Sequence, residues 1–220
     1  MLSSLLIKET KAEVEFNPLI TPSSDTRLVW NMLFHVGQCH VSNDDAGRSW
    51  ANRNVPATWP RVKSLRLISK DFPWLIDVQA RDPNCGVSCG DILDAIFQFL
   101  HQRISRAEYA AASTELQREI SATYHHNRST HPGVPGGTLR AGVHRFDFLG
   151  TATNFGGIVK NEDLVHQICH APVPCVFELV CDQQPEEAEG RRSRSRVRTR
   201  SRNPSRGASR PPTRAPSPQD

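Results

Sequence analysis

The sequence predicts an α+β fold. It reads as a single domain with a mainly antiparallel sheet of five or six strands and a three-helix insert, followed by a disordered C-terminal tail. Three observations predict it. Short segments of alternating apolar character lie on both sides of a helical middle, so the order runs strands, helices, strands. Three helix-start signatures fall between Ser88 and Gln117. From Arg191 onward the composition changes abruptly to RRSRSRVRTRSRNPSRGASRPPTRAPSPQD.

Residues 1–15 are polar and mixed in charge, a lead-in to a domain expected over 16–183. Between Leu28 and Val36 the residues Leu28, Trp30, Met32, Phe34 and Val36 occupy every second position, the pattern of a half-buried strand. His40 to Pro60 is rich in Asn, Asp, Ser, Arg and Pro, which predicts a long loop. Strands follow at Ser64–Ser69 and Leu75–Ala80. Their short connection favours antiparallel pairing.

Ser88-Cys89-Gly90-Asp91 fits a capping box, in which hydroxyl and carboxylate each satisfy a backbone N–H left free at the helix start. Ile92, Leu93, Ile96, Phe97 and Leu100 then recur on one helical face. Ser105-Arg106-Ala107-Glu108 and Thr114-Glu115-Leu116-Gln117 predict two further helix starts. Residues 127–142, punctuated by Gly and Pro, read as a loop. Strands are expected again at Val143–Leu149, Phe155–Val159 and Val173–Cys181, the last with Cys175, Phe177, Leu179 and Cys181 on one face.

The tail belongs to the segment 184–220, which opens with the acidic run Glu186-Glu187-Ala188-Glu189. From Arg191 it holds ten arginines, one acid and three aliphatic residues, too little apolar surface to offset the entropy of ordering it. Its net charge of +9, set against +4 for the whole chain, leaves −5 for residues 1–190. The basic balance is therefore a property of the tail alone. No apolar run approaches the roughly 20 residues of a membrane span. The N-terminus lacks a basic stretch before its short apolar patch, so no signal peptide and no membrane are expected. The protein reads as intracellular, in nucleus or cytoplasm. Its six cysteines are then reduced thiols, and the sequon at Asn127 is a chance match.

Five elements resemble a fungal family abundant in mushroom-forming species and known only as a domain of unknown function. They are Asn17-Pro18-Leu19, Pro56-Ala57-Thr58, Leu65-Arg66-Leu67-Ile68, Val87-Ser88-Cys89-Gly90-Asp91-Ile92-Leu93 and Gly142-Val143-His144-Arg145-Phe146-Asp147-Phe148-Leu149, with Phe155-Gly156 after them. The likeness covers about residues 16–182. Trp59 and the Gly/Pro loop around 131–137 depart from the family's pattern. The resemblance implies a fold and carries over no functional residue.

Within the domain each chemical constellation has a structural reading beside it. His166, Cys169, His170, Cys175 and Cys181 crowd together, but they lack two close ligand pairs of the zinc-site type, and Cys175 and Cys181 fit an apolar strand face. Cys89 sits in a first helical turn, where a thiol can acidify. Arg145 and Asp147 are expected to pair on one strand face with His144 on the other, which spoils a His–Asp dyad. Asp91 is accounted for by its cap, and His125-His126 suit a helix C-terminus. No catalytic residue, metal ligand or cofactor is expected.

The tail carries more content. Its Ser-Arg and Thr-Arg dipeptides resemble the RS-rich segments of splicing-associated proteins. Arg191, Arg192, Arg194, Arg196, Arg198, Arg200 and Arg202 are the expected contacts to phosphate or nucleic acid, because guanidinium binds phosphate bidentately and stacks on bases. Ser195, Ser201, Ser205, Ser209 and Ser217 each follow an arginine by three residues and are candidate phosphorylation sites. The expected function is a non-catalytic interaction domain whose basic tail binds RNA or an acidic protein. The competing reading is an enzyme of unrecognised class with its site on the 40–60 and 127–142 loops. A third reading makes the tail an import signal or a solubiliser. The oligomeric state is left open.

Overall fold

In strands β5 (Ser64–Ile68) and β6 (Ile76–Gln79), Leu65, Leu67, Ile76 and Val78 are buried while Ser64, Arg66, Asp77 and Gln79 face solvent. They pair antiparallel with Leu65 opposite Val78 and Leu67 opposite Ile76, as their short connection predicts. The structure is a computed structural model that describes residues 13–42, 53–170 and 173–183. Most of the lead-in, the middle of the 40–60 loop and the whole tail lie outside the described residues.

The remaining elements in chain order are β1 (Glu15–Phe16), β2 (Leu28–Val29), β3 (His40–Val41), β4 (Thr58–Trp59), α1 (Cys89–Leu100), α2 (Arg106–Ala111), α3 (Thr114–Asn127), β7 (Asn154–Val159), α4 (Glu162–Cys169) and β8 (Val176–Asp182). The fold is α+β, with mostly antiparallel strands and the three-helix insert where the capping signatures place it. The strands are divided among three sheets. The main one has four strands in the order β6-β5-β8-β7, and β1–β4 and β2–β3 form two-stranded ribbons.

The centre of the main sheet is a parallel pair, with Arg66 opposite Val176 and Ile68 opposite Glu178. A parallel pair needs a long crossover, and the helices supply it. In β8, Val176, Phe177, Glu178 and Leu179 are all buried, the signature of a strand covered on both faces. The core on one face joins Leu65, Leu67, Ile76, Val78, Phe177 and Leu179 to Ile92, Leu93, Ile96 and Leu100 of α1. A smaller cluster, Ile68, Val176, Leu164 and Val165, seats α4.

Five differences from the sequence expectations are local. The strand over Leu28–Val36 stops after Val29. Asn31 Oδ1 accepts from Leu33 N at 3.0 Å and Asn31 O accepts from Phe34 N at 3.0 Å, so a turn competes successfully with the strand. The apolar residues Trp30, Met32, Leu33 and Val36 remain buried. The strand over Val143–Leu149 is a 3-10 turn at Arg145–Leu149, and Cys175 lies outside β8 at φ 59°. Helix α4 was not expected. Its signals are Asn161 Oδ1 accepting from Leu164 N at 3.0 Å, followed by Glu162 and Asp163 in the first turn. The cap of α3 is Ser113, one residue before the expected Thr114, and Gln117 donates instead to Ala112 O and Tyr109 O.

Candidate functional site

Four consecutive residues, Phe146, Asp147, Phe148 and Leu149, are buried, and a strand would send successive ones to opposite faces, apart from one another. The 3-10 turn avoids this and closes on itself, with His144 N donating to Asp147 Oδ2 at 2.9 Å. Asp147 then faces the last turn of α3. Its Oδ1 accepts from Asn127 Nδ2 at 3.1 Å and from Arg128 Nη1 at 3.1 Å, and its Oδ2 lies 3.4 Å from Arg128 Nη2. The Asp147 side chain is 0% exposed and that of Arg128 11%. The Arg128 guanidinium also lies 3.7 Å over the Tyr124 ring.

Arg128 does more than neutralise Asp147. It donates to Tyr124 O at 3.1 Å, to Gly142 O at 2.9 Å and to Arg140 O at 3.5 Å. The two ends of the Gly/Pro loop that follows α3 are thereby tied to one guanidinium. At Gly136 (φ 62°) a Cβ would come within 2.8 Å of Ser129 O, so the loop also folds closely against its own start. Asn127 Oδ1 and the Nε of Arg128 are buried without a hydrogen-bond partner among the described residues.

A column of rings runs from this cluster towards the surface. His144 stacks on Phe146 at 5.0 Å, Phe146 lies 4.9 Å from His101, His101 lies 4.0 Å from Phe97, and Phe97 lies 5.2 Å from exposed His35. Burial pushes the imidazoles of His101 and His144 below their ordinary value. The carbonyls of Met32 and Gly142 and the carboxylate of Asp147 pull the other way, and Arg128 and Arg103 add to the depression at His144.

The pairing expected between Arg145 and Asp147 is corrected by the 3-10 turn, which sends them in different directions. Asp147 takes Arg128. The Arg145 guanidinium packs 4.1 Å from the Phe99 ring and 5.2 Å from that of Trp74. It donates to Gln102 Oε1 at 2.6 Å and lies 3.7 Å from Glu108 Oε1. His144 and Asp147 do not make a catalytic dyad, since the carboxylate takes the histidine's backbone N–H and the imidazole Nδ1 lies 2.9 Å from Gly142 O.

A second cluster surrounds the start of α1. Ser88 and Asp91 form the expected capping box, with Asp91 N donating to Ser88 Oγ at 3.1 Å and Ser88 N to Asp91 Oδ2 at 3.0 Å. Asp94, one turn on, holds Arg53 at 2.5 Å and Arg81 at 2.9 Å. Asp91 and Asp94 are thus occupied by a cap and by arginines. A shallow groove of about 140 Å³ lies on the outer face of β5 and β6, lined by Ser64, Leu65, Arg66, Asp77, Gln79, Pro174 and Cys175.

Five of the six cysteines lie in or against the core, and Cys85 is exposed. Burial pushes the Cys39 and Cys89 thiols up to about 12 and raises Cys181 further, the opposite of an activated thiolate at a helix start. Exposed Cys85 is raised by its contact with Asp82 Oδ2 at 3.2 Å. Among the described residues no three His, Cys, Asp or Glu side chains meet in a metal-holding group; His166 and Cys169 lie in α4, His170 is its C-cap, Cys175 precedes β8 and Cys181 lies in it. The tail residues Arg191 to Arg202 and Ser195 to Ser217 lie outside the described residues.

The Arg128–Asp147 cluster escaped sequence reading because its partners meet only through the 3-10 turn. One signal was present. His144 and Asp147 have the three-residue spacing of a capping box, the same spacing that located α1 and α2.

Residues 28–164 match the model of a family described as "Family of unknown function (DUF6699)". No curated protein and no solved structure matches the chain.

Proposed function

The chain belongs to the family DUF6699, whose function is unknown, and from its own residues we propose a non-catalytic interaction domain carrying a basic, phosphorylatable tail that binds RNA or acidic partners. The observation that carries this reading is the separation of charge. Residues 16–183 hold 15 Lys and Arg against 16 Asp and Glu, whereas the last thirty residues hold ten Arg against one acid. Attraction for phosphate is therefore assigned to the tail. The polar groups of the domain support a scaffold role. The carboxylates of Asp91, Asp94 and Asp147 are held by caps and arginines, and three of the thiols are kept protonated by burial.

The tail is proposed to be an RS-rich segment, disordered by composition, in a protein of the mushroom-type fungal family acting in nucleus or cytoplasm. The domain boundaries proposed are 16–183 for the folded part and 184–220 for linker and tail. No helix among the described residues is long and apolar enough to cross a membrane.

Binding of single-stranded RNA by the full chain and by a chain ending at residue 190 tests the reading, over a salt series and with the tail phosphorylated. The expected result is weak, sequence-tolerant binding that needs the tail and falls steeply with salt, at roughly 0.7 in log–log slope per phosphate contact. Each phosphate on Ser195, Ser201, Ser205, Ser209 or Ser217 adds about −1.5 to −2 charge, so about five or six would cancel the tail's charge and fewer already weaken binding. Equal affinity of the two chains at low salt would sink it.

A further inference from the structure

We propose that His144 is a proton-operated latch on the loop that joins α3 to the 3-10 turn, holding it closed at neutral pH and releasing it on acidification. The proposal is independent of the tail and rests on the geometry at one end of that loop. His144 is 5% exposed and follows directly on the loop's last residues. Its Nδ1 lies 2.9 Å from Gly142 O and 3.2 Å from Arg128 Nη2, and Arg128 Nη2 itself lies 2.9 Å from Gly142 O. Imidazole, guanidinium and carbonyl thus meet at a single point of closure.

The charges around that point decide what a proton does there. Arg128 at the C-cap of α3 and Asp147 on the 3-10 turn already neutralise one another, and the remaining carboxylate lone pairs are used by Asn127 and by His144 N. Arg103, just beyond α1, adds a second guanidinium, which donates to Ala141 O beside the latch. His101, across Phe146 in the ring column, is a further titratable group. With neutral His144 the cluster of Arg128 and Asp147 sums to zero. A proton on His144 leaves an uncompensated positive charge in a buried site, 3.2 Å from another cation.

Opening the loop relieves this by admitting water to the imidazole. The Gly142 end of the loop then withdraws from the imidazole, while His144 N stays capped on Asp147 and the Arg128–Asp147 pair stays between α3 and the turn. The sign follows from linkage. A histidine depressed in the closed state leaves the closed form unaffected well above the ordinary histidine value. Below that value the open form binds the proton more readily, so closure weakens progressively as pH falls. Loop opening is a local event, so the sheet core need not unfold with it.

Amide hydrogen exchange of the full chain at neutral pH and at about pH 5, corrected for the pH dependence of the exchange chemistry, tests the latch alongside an NMR titration of His144. The expected result is several-fold faster exchange over residues 129–143 in acid, with unchanged protection in β5 and α1. The midpoint should track a His144 titration below the ordinary value. His144→Gln should abolish the acid response, whereas His131→Gln, which removes the loop's own exposed histidine, should keep it. If His144→Gln does not fold, coincidence of the wild-type loop midpoint with the His144 titration decides the matter. Exchange that is equal at both pH values, an acid response retained by His144→Gln, or His144 titrating at or above the ordinary value would each overturn the proposal.

Discussion

Two arginine–aspartate clusters fasten irregular backbone to helices in this domain, and they differ mainly in their contact with water. At the start of α1, Asp94 is 21% exposed and holds Arg53 and Arg81, which are 38% and 73% exposed. At the end of α3, Asp147 and Arg128 are almost wholly buried. The chemistry is the same, but its consequences are not. Exposed pairs exchange water contacts for protein contacts at little net gain. A buried pair contributes modestly while whole and becomes very costly when half of it is removed. Arg128 also bridges α3, the loop and the turn, so its position carries geometry as well as charge.

The largest effect is expected from breaking the buried cluster on one side. Asp147→Ala leaves the Arg128 guanidinium buried and unpaired and should lower unfolding free energy by about 3–5 kcal/mol, read from urea denaturation. Ser88→Ala at the surface cluster removes only a cap and should cost about 1 kcal/mol in the same measurement. Asp94→Ala should cost no more than about 1 kcal/mol, and that small loss should shrink further in high salt. A loss for Asp94→Ala equal to that for Asp147→Ala would end the comparison.

Two further measurements sharpen it. Because burial depresses His101, folding stability should decline as pH drops below the ordinary histidine value, where the unfolded chain takes up a proton that the fold refuses. His101→Phe should flatten that decline in the urea midpoint. In thiol labelling followed by mass spectrometry at neutral pH, exposed Cys85 should react first. Cys39 and Cys89, buried and pushed up to about 12, should react only on unfolding.

The legible parts of the sequence were those governed by contacts within a few residues. The capping boxes at Ser88 and Ser105 located α1 and α2 to the residue, and the strands read at Ser64–Ser69 and Leu75–Ala80, with their short connection, located an antiparallel pair. Alternation misled wherever local polar groups offered the backbone another partner. Asn31 turned the chain within Leu28–Val36, and the His144–Asp147 cap wound Val143–Leu149 into a 3-10 turn. The parallel register of β8 on β5 and the meeting of Arg128 with Asp147 are long-range facts that no local pattern encodes. The Cys175–Cys181 segment was read as one strand face because period two does not reveal that β8 is covered on both sides.

The placement of β8 has a consequence for how the domain comes into being. Strand order β6-β5-β8-β7 puts a segment from the end of the domain between two that precede it. During synthesis the β5–β6 hairpin, all three insert helices and β7 are complete while the seat of β8 is still vacant. Until residues 176–182 arrive, β5 and β7 each present an unpaired backbone edge, with Leu67, Ile68 and Ile158 lacking their eventual neighbours in β8. Such edges pair readily with other chains. The interval before β8 inserts is therefore when a nascent chain is most in need of chaperoning, and substitutions that weaken β8 should reduce yield in the cell more than they reduce the stability of the finished protein.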